Sequence, residues 1–123
     1  DIMYAERAGV VDACREKGIL AFGNVNDMNK EENGTDVVVT SALWHMESAI
    51  NHAIQLTKQG KFKAEEYHSW TMMAKGGASL APYYEFDSVV PASVKSQIAS
   101  LAADIKSGKF VVEIIDDEPK STF

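Results

Sequence analysis

A chain of 123 residues, 46% hydrophobic and 24% charged, has the composition of a folded domain with room for one modest core. Its net charge of −6 argues against a nucleic-acid partner, whose phosphates need a basic face, and against binding to anionic membrane. No apolar run reaches the length of a membrane span, and the single cysteine, Cys14, leaves no internal disulfide to form.

In chain order, Asp1-Ile2-Met3-Tyr4 reads as a short buried strand with no leader before it, so the chain is expected to be part of a larger one. Residues 8–17 carry Val10, Val11, Ala13 and Cys14 at helical spacing, and Gly18 is a good stop. Ile19-Leu20-Ala21-Phe22 reads as a second strand, residues 24–34 as a polar loop, and Val37-Val38-Val39-Thr40 as a third, β-branched strand. Met46, Ala49, Ile50, Ala53 and Ile54 then mark one face of a helix that ends near Gly60. Residues 61–70 are polar with aromatics and fit an edge strand. Pro91 opens a last helix with Val94, Ile98, Leu101, Ala102 and Ile105 on one face, and Gly108 closes it. Residues 110–115 read as a terminal strand and residues 116–123 as a polar tail. This order predicts an α/β fold with a largely parallel sheet, and in such sheets ligands sit beyond the carboxyl ends of the strands.

Few side chains carry a chemical signature. His45 and His52 lie seven apart on one helix, about 10 Å along its axis, too far to share an ion, and fit solvated surface positions. His68 follows no nucleophile elbow. Gly76-Gly77 lacks dinucleotide or Walker spacing and reads as a turn needing positive φ. Cys14, on the apolar side of its helix, reads as a structural thiol. Beyond the strand ends, Asp27 either accepts hydrogen bonds from a ligand or caps a loop. Trp44 either stacks on a planar ligand or packs under the helix. Glu6 and Arg7 form a ligand clamp or a surface pair.

Several segments resemble, in order, the basic membrane protein (BMP) family of ABC-transporter substrate-binding proteins. Residues 9–18, Gly-Val-Val-Asp-Ala-Cys-Arg-Glu-Lys-Gly, resemble its "GVi-AAkEkG" helix. Gly23 to Asp27 stand where it has a "GvDsDQ"-like turn, and Thr40-Ser41 with Gly60-Lys61-Phe62 resemble "TSvvk…dGkf". Residues 74–82 resemble "keGGvgLAPy", and Val90-Pro91 the "vP" before the last helix. The resemblance implies a type I periplasmic-binding-protein fold with two α/β lobes. Residues 1–82 would belong to the second lobe. Residues 83–123 would hold the hinge crossing, a helix returning to the first lobe, and the tail.

It further implies a non-enzymatic receptor of an ABC importer, periplasmic or a cell-surface lipoprotein. Such a receptor closes on a nucleoside, nucleobase or similar molecule and delivers it to a permease, without cofactor or nucleic acid. Any membrane contact would be through a lipid anchor outside this chain. By this resemblance Asp27 matches the aspartate that holds ribose hydroxyls, and Trp44 replaces a ligand-contacting lysine. Glu6 and Arg7 stand near an absent "GG", and Lys75 lies at the cleft rim. A ligand-sensing regulator of the same fold is the alternative, followed by an α/β enzyme, which the missing catalytic motifs disfavour.

Overall fold

The computed structural model describes residues 7–31 and 33–112. Among these, four α-helices, α1 (Arg7–Lys17), α2 (Met28–Glu31), α3 (Met46–Lys58) and α4 (Ala92–Ser107), surround three strands, β1 (Ala21–Val25), β2 (Val38–Trp44) and β3 (Ala78–Leu80). Short 3-10 turns at His68–Thr71, Met73–Lys75 and Tyr84–Phe86 complete the path. The strand expected at residues 1–4 lies outside the described residues, as do Glu6 and residues 113–123.

The sheet order is β1-β2-β3. β2 is central, and its first four residues are buried, which accounts for the unbroken apolar run through Val39. β1 runs parallel to it, with Val25 opposite Leu43 and a register irregularity between Ala21 and Gly23. Gly23 permits this close approach, because a Cβ there would collide with Ser41 and Met28. Val11 of α1, Met28 of α2 and Val38 form the buried apolar cluster.

The expected largely parallel sheet is corrected at β3, which runs antiparallel to β2, pairing Ala42 with Leu80, Leu43 with Ser79 and Trp44 with Ala78. Gly76 adopts φ 76°, and Gly77 lies where a Cβ would strike the backbone of Trp70 and Thr71. The glycine pair therefore turns the chain back along β2. Thr40 Oγ1 donates to the Ala81 carbonyl at 2.7 Å and locks the far end of the return.

Three strands in a mixed sheet with four helices are not a two-lobed periplasmic-binding-protein fold. Instead of returning to a first lobe, α4 rests against the Met73–Lys75 turn and forms a cleft of about 340 Å³ with Ser79, Leu80 and Ala81. Two further expectations change. Residues 61–67 form no strand, and the polar loop after β1 contains α2.

The helix ends follow the sequence signals. Gly18 and Gly108 both take left-handed φ, and their amides close onto Arg15 and Ile105 carbonyls. Arg15 fastens α1 to the turn before β2, donating to both Asp36 oxygens at 2.7 and 2.9 Å and to the Asn33 carbonyl at 2.7 Å. The bidentate hydrogen bond from Arg15 holds the Asp36 carboxyl below its usual range. Cys14 is half-buried and free.

Candidate functional site

The carboxyl end of β1 carries a cluster of polar side chains drawn from distant segments. β1 ends at Val25 with φ 74°, a left-handed conformation that is costly for a β-branched residue. The chain then folds tightly, with the Asn26 amide on the Asn24 carbonyl and the Met28 amide on that of Asn26. The Asp27 carbonyl accepts the amides of Lys30 and Glu31, so Asp27 opens α2. Its side chain meets Tyr84, which arrives from 57 residues downstream and donates its hydroxyl to Asp27 Oδ2 at 2.6 Å. Tyr84 also has positive φ, 47°. Two strained residues therefore flank one hydrogen bond, a pattern that concentrates at functional sites.

Around this pair, Lys30 Nζ lies 4.0 Å above the Tyr84 ring and 3.7 Å from Glu85 Oε1. Asn29, fully buried, donates to the Val38 carbonyl at 3.1 Å and approaches Glu85 Oε2 at 3.5 Å. The hydrogen bond to Asp27, reinforced by burial, raises the Tyr84 phenol above its ordinary pKa. A backbone hydrogen bond, with Lys30 adding attraction, lowers the Glu85 carboxyl. Asp27 Oδ1 and Asn29 Oδ1 are buried without a donor among the described residues. Two acceptors beside a phenol and an ammonium can receive hydroxyl or amine donors. No group of three or more His, Cys, Asp or Glu among the described residues could hold a metal ion.

The site residues expected from sequence do not converge. Asp27 lies in this cluster. Trp44, half-exposed, lines a separate cleft of about 360 Å³ with Met46, Thr71, Gly77 and Ala78, and Asp27 is not part of its lining. Lys75 sits 5.1 Å over the Trp70 ring, and its carbonyl accepts the Ser48 hydroxyl at 2.6 Å. Arg7 begins α1. The histidines expected to be solvated are engaged: His52 stacks on Trp70 at 3.8 Å between centroids, and His45 Nε2 lies 2.7 Å from Ser79 Oγ. Sequence reasoning missed Tyr84, Lys30, Glu85 and Asn29. Their nearest signal was the Tyr83-Tyr84 pair after Pro82.

No protein-family description matches the chain, and no curated protein does. Among solved structures it is similar to the crystal structure of a transcriptional activator of the comK gene from Bacillus halodurans. The two share 26% identity and a TM-score of 0.63 over 84% of this chain. The chain spans about a third of that structure, 34% of its length. This likeness overturns the assignment to BMP-family receptors. With it fall the roles of importer component, nucleoside carrier and permease partner, and the exclusion of nucleic acid. The similar protein is a transcriptional activator, and the likeness lends no support to transport.

Proposed function

We propose that this chain takes part in the regulation of gene expression, with the Asp27–Tyr84 cluster as the contact point for an effector. The carrying observation is the likeness to a transcriptional activator at 26% identity over 84% of the chain. The cluster supplies what an effector contact needs: buried acceptors, a phenol and a cation gathered from β1, α2 and the segment before α4. In this reading the protein binds and signals without turning over a substrate. Its partner is DNA or another protein.

The test is transcript measurement in cells lacking the gene and in cells carrying Asp27→Asn. Deletion should change a restricted set of transcripts, and Asp27→Asn should reproduce part of that change while the protein keeps its circular dichroism. Unchanged transcripts on deletion would sink the regulatory reading. A full deletion effect with a silent Asp27→Asn would remove the effector site alone. Crosslinking followed by recovery of bound DNA or bound protein distinguishes the two partner classes.

A further inference from the structure

We infer that α3 is a self-association surface, pairing antiparallel with α3 of a second copy of this chain. Among the described residues the helix is tied down through His52 and through Ser48, whose hydroxyl donates to the Lys75 carbonyl. His52 stacks on Trp70, with Tyr67 edge-on to His52 at 5.8 Å. On roughly the opposite side runs a stripe of Ile50, Ala53 and Thr57, spaced three and four apart as in a helix–helix seam. Ile50 is 54% exposed, and no residue of α3 is buried. Along the seam lies a groove of about 400 Å³ lined by Ile50, Ala53, Ile54, Thr57, Lys58 and Phe62. Thr57 spends its hydroxyl on the Ala53 carbonyl at 2.8 Å, so the groove is apolar. Ala53, near the middle, lets a facing helix come close.

Charge decides the occupant. At 3.6 residues per turn, Glu47 and Lys58 lie on the same flank of the stripe, about 16 Å apart along the axis. Lys61 and Lys63 follow Lys58, and none of these three lysines pairs with a carboxylate among the described residues. Glu47 is 70% exposed, with His45 Nδ1 3.5 Å away. A two-fold axis across the stripe keeps each flank on its own side and reverses direction. It therefore sets Glu47 of one copy beside Lys58 of the other, twice. The antiparallel helix dipoles oppose favourably as well. A parallel pair would instead carry the Glu47 side chains of the two copies to opposite flanks, where neither meets Lys58. The stripe and its charges thus complement themselves in one orientation.

The test is sedimentation of the full chain over a concentration series, with circular dichroism to confirm folding. The parent should associate as a dimer, and Ile50→Glu, at an exposed position, should be folded and monomeric. Glu47→Lys and Lys58→Glu should each weaken the dimer several-fold, and the double variant should recover it. A parent monomeric at every concentration, with its face covered in some other way, would overturn the inference. So would a dimer indifferent to Ile50→Glu, or a double variant no better than the single ones. None of these outcomes depends on transcript levels, so this inference and the regulatory reading fail separately.

Discussion

The β1–α2–β2 region and the α3 flank use similar apolar residues to different ends. In the first, Val11, Met28 and Val38 are buried, and Asn29 and Ser41 beside them are both fully covered. Ser41 Oγ accepts the Met28 amide at 3.1 Å, so α2 is positioned by a hydrogen bond as well as by packing. In the second, Ile50, Ile54 and Phe62 are each more than two-fifths exposed, and the helix is held through an aromatic stack. Hydrophobic character is therefore a poor guide to what stabilises this protein. Position relative to the central strand decides it, because only residues flanking β2 lose their water on both sides.

Substitutions sharpen that contrast. The largest loss is expected for Met28→Ala, about 3 kcal/mol from lost burial and the cavity left behind, measured by urea unfolding. Asn29→Ala should cost about 2 kcal/mol in the same experiment, because the buried Val38 carbonyl loses a donor. If both fall below the effect of α3 substitutions, the assignment of the core to β2 is wrong.

The Arg15–Asp36 link tests the same region through pH. The folded-state pKa of Asp36 is depressed below 3.8, so the link contributes fully above that value and is lost as pH falls through the lowered one. Arg15→Gln should therefore lower stability near neutral pH, with the difference from the parent shrinking in acid. A difference that persists unchanged in strong acid would show that the effect lies elsewhere. The smallest effect is expected on the other flank. Ile54→Ser should change the stability of the dilute protein by no more than about 0.5 kcal/mol, since its side chain already meets solvent. A larger loss would mean that α3 is packed more firmly than its exposure indicates.

Elements governed by neighbouring residues were legible in the sequence. α1, α3 and α4 stand where apolar spacing placed them, and Gly18 and Gly108 end their helices through the left-handed φ that glycine tolerates. β2 was visible in its β-branched run, because a central strand must be apolar on both faces. Asp27 was legible as a residue beyond a strand end. Its partner was not, since Tyr84 is 57 residues away and no local pattern encodes that meeting. Likewise, nothing local to Trp44 or Lys75 reveals that they face surroundings different from that of Asp27.

Five short motifs in order pointed to a receptor family that the solved-structure likeness does not support. Those motifs record helix stops, tight turns and a proline-opened helix, which serve any α/β chain. By itself the sequence determined α1, α3 and α4, the central strand and the acidic balance, because these depend on residue type and short spacing. Only the tertiary structure decided the direction of β3, the Asp27–Tyr84 pairing and the exposure of the α3 stripe. Each of these depends on which distant segments exclude water from one another, a choice made by packing in three dimensions.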